Sequence, residues 1–182
     1  METETVLSSR RIYDGRIVHL RVDDVRTPTG FETRREIIEH SGAVALVVID
    51  DEDRVLLVQQ YRHAARRTTM EIPAGTLEAH EDPAACAVRE LAEETGYSAR
   101  HIESIGGFYP SPSYCTEYIH VFVATGLTRG KARPEIDEQI EIESVPWAEA
   151  LRRIESGAID DAKSIAALLR VDARRHSAAQ QP

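Results

Sequence analysis

GTLEAHEDPAACAVRELAEETGY, running from Gly75 to Tyr97, is the stretch on which the reading of this chain turns. Asp82 is a helix-capping residue, Pro83 suits a first helical position because no donor is needed there, and Gly96 suits the stop. At about 100° per residue, Ala84, Val88, Leu91 and Ala92 share one side of this helix and are expected to face the core. Glu90, Glu93 and Glu94 gather within about 100° of one another on the opposite side, with the small Cys86 and Ala87 one turn earlier. Like charges at this spacing repel, and an ordinary solvated face interleaves basic residues; here only Arg89 borders the cluster. Carboxylate oxygens are hard ligands suited to Mg²⁺ or Mn²⁺, with a diphosphate supplying the remaining positions. A solvated acidic helix face is the competing reading.

Outward from this helix, Ala43 to Ile49 is continuously apolar and reads as a central strand, followed by a polar turn at Asp50 to Asp53 and a return strand from Val55 to Gln59. Strands are also expected at Ser104–Phe108 and Tyr118–Ala124. Two prolines, Pro110 and Pro112, define a loop between them. Gly126 to Asp137 reads as a second polar loop. Helices are expected from Trp147 to Ser156, stopped by Gly157, and from Ala162 to Arg174, with Ile165, Leu168 and Leu169 apolar at helical spacing. Before the central strand, Ile17–Val22 and Arg34–Ile38 read as half-polar strands about a turn at Pro28-Thr29-Gly30. Such a piece buries little alone and needs the main domain or a second subunit to pack on.

The chain has 182 residues, enough for one ordinary domain with a small appendage. Its balance of 42% hydrophobic and 29% charged residues is that of a folded globular protein. The longest apolar run, Ala43 to Ile49, is too short to span a bilayer. Met1 to Glu4 lacks the basic and apolar parts of a signal peptide, so a cytoplasmic address and no membrane partner are expected. A net charge of −9 argues against nucleic acid as partner. A phosphorylated substrate is still compatible with it, provided metal ions and a few arginines reverse the local field. Cys86 and Cys115 have no metal-ligand or CxxC spacing and read as reduced, structural thiols.

The Gly75–Tyr97 segment resembles the Nudix box: Gly, five residues, Glu, seven residues, Arg-Glu-apolar, one residue, Glu-Glu, one residue, Gly-apolar. Every specified position is filled here, by Gly75, Glu81, Arg89-Glu90-Leu91, Glu93-Glu94 and Gly96-Tyr97. The resemblance implies an α+β protein with the Nudix fold, an α/β/α sandwich around a mixed β-sheet. It also implies a small N-terminal antiparallel β-subdomain over residues 1–40 and a hydrolase domain over 41–176; residues 177–182 read, from their composition, as a disordered tail. By position, Glu90 and Glu94 match the main metal ligands, Glu93 completes the cluster through metal or water, and the carbonyl of Ala74 matches a further ligand. Mg²⁺ is the implied cofactor, with Mn²⁺ able to substitute. Glu81 and Arg89 match a salt bridge joining loop to helix. The general base resembles one on a later loop, here Pro134 to Glu138, with Glu138 first and Glu135 in reserve.

Several flanking features resemble the ADP-ribose pyrophosphatase branch. Pro112 lies 16 residues beyond Gly96, inside Ser111-Pro112-Ser113-Tyr114-Cys115-Thr116-Glu117, close to that branch's Ser-Pro-Gly-aromatic pattern ending in Glu. Ser113 replaces the glycine, while Glu117 keeps its place. Thr33 to Glu36 and Gln59 to Arg62 resemble segments supplying arginines to the diphosphate and terminal ribose, which selects Arg35 and Arg62; a guanidinium fork suits phosphate. Ser111, Pro112 and Glu117 join them as substrate-site candidates. In that branch the N-terminal strands reach a partner subunit, so a homodimer is implied. The implied reaction is Mg²⁺-dependent hydrolysis of a nucleoside diphosphate sugar, first of all ADP-ribose to AMP and ribose 5-phosphate. Rival readings are GDP-mannose, ADP-glucose, or, from Tyr114, a diadenosine polyphosphate. A silent ADP-ribose sensor is the reading from outside the enzymes.

Overall fold

Polar strands open the chain because their hydroxyls and charges pair across a sheet. In the computed structural model, which describes residues 2–131 and 139–179, β1 (Thr5–Asp14), β2 (His19–Arg26) and β3 (Glu32–Glu39) form an antiparallel sheet in that order. The first of these escaped the sequence reading, since Ser8-Ser9-Arg10-Arg11 has no alternation to detect. Its hydroxyls explain its place: Ser8 Oγ donates to Asp24 (2.8 Å) and Ser9 Oγ to Asp23 (2.6 Å) on β2. The β2–β3 turn falls at the expected site, where Gly30 has φ +84° and donates to the Thr27 carbonyl at 2.9 Å. Contacts group this sheet with Tyr109–Tyr118 into one compact unit, Met1–Gly42 plus Tyr109–Tyr118. The proline loop is laced to β3: Ile38 N–H donates to the Tyr114 carbonyl (2.7 Å), and Thr116 N–H to the Ile38 carbonyl (3.0 Å).

The second unit comprises Ala43–Phe108 and Ile119–Pro182. Its central strand is β4 (Ala43–Val48), buried at every position. β5 (Arg54–Arg62), β6 (Arg67–Glu71) and β7 (Ala74–Thr76) follow. Next come helix α1 (Pro83–Glu90), a π-helical turn (Leu91–Thr95), β8 (Tyr97–Phe108), β9 (Ile119–Arg129), β10 (Ile140–Pro146), α2 (Trp147–Glu155) and α3 (Ala162–Ala179). One sheet has the order β7-β4-β9-β8, the other β10-β5-β6. β4 and β9 run parallel while every other pair is antiparallel, so the sheet is mixed as expected.

Alternation along β4 creates the layers. Ala43, Ala45 and Val47 pack with Trp147, Ala150, Ala167, Leu168 and Val171 of α2 and α3. Val44, Leu46 and Val48 pack with Cys86, Ala87 and Leu91 around α1. A strand covered on both faces must be apolar throughout, and this is the α/β/α sandwich.

Some boundaries differ from the sequence reading. β9 carries Gly126 to Arg129 into the sheet, because Leu127 to Arg129 pair with Tyr97–Ala99 on β8 rather than looping out. α3 runs to Ala179, so Ser177 to Ala179 are helical and not tail. Leu169 is 47% exposed, whereas Asp172 is useful to the core, accepting the Trp147 indole N–H at 2.9 Å.

Candidate active site

Asp82 does cap α1, its carboxylate accepting from the backbone N–H of Ala84 (2.9 Å) and Ala85 (3.2 Å), with Pro83 at the first position. Gly96, at φ +71°, ends the π-helical turn. The face assignment is corrected. Ala84, Val88 and Ala92 are exposed, Val88 by 56%, and of the expected core stripe only Leu91 is buried. The buried side is the acidic one: Cys86, Ala87, Glu90 and Glu94. Small side chains at 86 and 87 let the helix settle closely against β4 and β7, and this carries the two carboxylates inward. The π turn widens the helix where Glu93 and Glu94 sit; such turns are frequent at functional sites.

Gly75 and Ala74 receive these carboxylates. A Cβ on Gly75 would stand 1.9 Å from the Glu90 carboxyl carbon and Oε1, so only glycine leaves that space. Ala74 N–H donates to Glu94 Oε2 at 3.1 Å. The contact is through the amide of Ala74, a partner that its expected role as a carbonyl ligand did not foresee. Arg89, at the border of the cluster in the sequence reading, is its organising cation. Its Nε and Nη2 each reach Glu81 at 2.9 Å, forming the expected loop-to-helix salt bridge. Its Nη1 donates to Glu90 (2.7 Å) and Glu93 (3.1 Å). Arg89, then the Glu78 amide, hold the Glu81 carboxyl down at about 2. Cys86 is pushed up to about 12, first by burial, so its thiol is an inert filler.

Among the described residues no three acidic, imidazole or thiol side chains assemble into a metal cage. The ion expected here takes hard oxygen donors, with water and substrate phosphate commonly completing its shell. Glu90 and Glu94 are 9% and 6% exposed, all-oxygen donors beside a loop shaped to receive them. The donor set fits a divalent ion.

A second charged group lies in the same unit and was missed by the sequence reading. Glu71, at the end of β6 and 3% exposed, accepts Arg62 Nε on Oε1 (2.8 Å) and Arg62 Nη2 on Oε2 (2.6 Å). Thr69 donates to Oε1 at 2.5 Å, and Lys163 donates to Oε2. Burial pushes the Glu71 carboxyl up, but Arg62, Lys163 and Thr69 outweigh it and hold it at about 2. Asp161 takes Lys163 (2.9 Å) and caps α3 through Ser164, whose buried hydroxyl accepts the Ile72 N–H at 2.8 Å. The only sequence signal for this network was an isolated charge ahead of Ile72-Pro73.

Arg62 is thus brought near Glu94, whose charge adds to that of Glu71 in raising the guanidinium pKa. Arg35, Ser111, Pro112 and Glu117 belong to the other unit. There Arg35 pairs with Glu4 at 2.5 Å, and the Ser111 carbonyl accepts from Cys115 N–H at 3.0 Å. Glu117 is half-buried and Pro112 exposed. Glu135 and Glu138 lie outside the described residues.

Comparison with known proteins matches the NUDIX domain over residues 39–168 and the nucleoside diphosphate sugar hydrolase N-terminal domain over residues 4–38. An ADP-ribose pyrophosphatase of Bacillus subtilis is 40% identical over 91% of this chain and 90% of its own length. One of Mycobacterium tuberculosis is 40% identical over 92% of this chain and 82% of its own. A crystal structure of an ADP compounds hydrolase superposes with TM-score 0.87 at 19% identity, covering 100% of this chain and 98% of that one, and so shares its fold. A complete box, with its glycine seated against a buried glutamate and both domain models matched end to end, makes this chain a member of the Nudix hydrolase family.

Proposed function

We propose that this hydrolase splits ADP-ribose to AMP and ribose 5-phosphate in a Mg²⁺-dependent reaction, with Mn²⁺ able to substitute. The observation that carries the reading is the pair of buried carboxylates, Glu90 and Glu94, held against Gly75 and Ala74. The choice of substrate is supported by the relatives named ADP-ribose pyrophosphatase.

Glu90 and Glu94 would hold the ion, with Glu93 and the Ala74 carbonyl as its further protein ligands. When bound, a divalent ion neutralises diphosphate oxygens and acidifies an attacking water. The remaining work belongs to the chain. Arg89 keeps Glu90 and Glu93 side by side despite their repulsion. Ala74 N–H fixes Glu94 through its Oε2. Glu138, with Glu135 as reserve, takes the proton from water. Arg62 and Arg35 hold the diphosphate and terminal ribose, and Ser111, Pro112 and Glu117 shape the substrate loop. A homodimer is part of the reading. Val6, Leu7, Ile12, Tyr13 and Ile17 leave apolar side chains exposed on the N-terminal unit, which a second copy would cover in part.

The test is kcat/KM with Mg²⁺ across ADP-ribose, GDP-mannose, ADP-glucose and diadenosine polyphosphates. ADP-ribose should lead by at least ~10-fold, equivalent to about 1.4 kcal/mol of transition-state discrimination, with AMP and ribose 5-phosphate as products. Preference for another substrate replaces the assignment, and turnover of none of them favours a sensor.

A further inference from the structure

We propose that Glu71 is a positioning residue for the reaction: it presents Arg62 to the diphosphate, and Thr69 and Lys163 hold Glu71 in place to do so. The proposal rests on the reading that Arg62 binds that diphosphate. Each carboxylate oxygen of Glu71 is held twice. Oε1 takes Arg62 Nε and the Thr69 hydroxyl, while Oε2 takes Arg62 Nη2 and Lys163 Nζ. Four donors on two oxygens leave the carboxylate no freedom to turn, so the plane of the Arg62 guanidinium is fixed with it.

Exposure and geometry argue that Arg62 is presented outward. Lys163, 15% exposed, is held between Glu71 and Asp161, so the two cations and two carboxylates of the network balance. The Arg62 side chain is 42% exposed, its bonds to Glu71 use only Nε and Nη2, and its Nη1 makes no hydrogen bond among the described residues. A guanidinium gripped along one edge and open along the other is an arrangement for receiving an anion with little further loss of side-chain freedom.

A double-mutant cycle separates positioning from simple structural support. Glu71→Gln should raise KM for ADP-ribose ~10-fold, with kcat changed less than KM, and Thr69→Val should raise KM ~3-fold. In an Arg62→Ala background, either change should alter kcat/KM less than about twofold, because the group it acts through is gone. Thermal melts accompany each variant; should Glu71→Gln fail to fold, Thr69→Val, which keeps both ion pairs, carries the cycle. Full additivity with Arg62→Ala overturns the positioning role and leaves the binding role of Arg62 intact. If Arg62→Ala itself leaves KM unchanged, the diphosphate-binding reading fails, and the proposal with it.

Discussion

Arg89 and Glu71 anchor two clusters of opposite polarity in the same unit. Around Arg89 one cation holds three carboxylates, Glu81, Glu90 and Glu93, all within eight residues of it along the chain. Around Glu71 one carboxylate holds two cations, Arg62 and Lys163, separated from it by 9 and 92 residues. The first cluster carries excess negative charge and is partly open; the second, with Asp161 opposite Lys163, is balanced around a buried centre and leaves one edge of Arg62 exposed. Under the proposed function the first would hold the divalent ion and the exposed edge of Arg62 the diphosphate. The difference also shows how each is made: the acidic cluster by the spacing of one loop and helix, the one around Glu71 only once β5, β6 and α3 have assembled.

The largest expected effect breaks the acidic side. Glu94→Gln keeps the shape and an acceptor for Ala74 N–H while removing the charge proposed to bind the ion. It should lower kcat by at least ~10²-fold with the melting temperature little changed. Near-normal turnover at saturating Mg²⁺ contradicts the role given to Glu94. Gly75→Ala comes next. The added methyl collides with the end of a flexible side chain rather than with backbone. The fold should therefore survive while Glu90 is displaced, lowering kcat ~10-fold. A large loss of stability instead, with kcat unchanged, would mean that Gly75 serves packing alone.

That contrast also explains what the sequence disclosed. The box was legible because its residues lie on one continuous loop and helix, so that cap, stop and carboxylate cluster follow from spacing, while the Glu81–Arg89 salt bridge came from the resemblance. β4 was legible because burial on two faces demands an unbroken apolar run. The buried face of α1 was misread, since periodicity equates apolar with inside. Here Val88 faces water while Glu90 and Glu94 go in with the small Cys86 and Ala87. β1 was missed because its cross-strand partners are Asp23 and Asp24, polar groups without a period. Glu71 was invisible for the same reason at longer range: nothing near it in sequence announces Lys163. Arg62 was selected by resemblance, and the grip upon it came only from the fold.

The smallest expected effect sharpens the comparison through pH and salt. Glu81 and Glu71 are both held at about 2, yet Glu81 owes this to Arg89 at the rim while Glu71 is enclosed. A carboxylate with its folded pKa depressed contributes stability that is complete above its ordinary value of 4.5 and is lost as pH falls through about 2. Glu81→Gln should therefore cost about 1 kcal/mol near neutrality in low salt. The deficit relative to the parent protein should shrink at 1 M salt, where charges are screened beyond about 3 Å, and vanish as the parent's own Glu81 becomes protonated. Denaturant melts of the two proteins at neutral pH and in acid, each with and without salt, measure it. A deficit indifferent to salt and acid would make the Glu81–Arg89 contact one of shape rather than charge, and the two clusters would then differ in more than polarity.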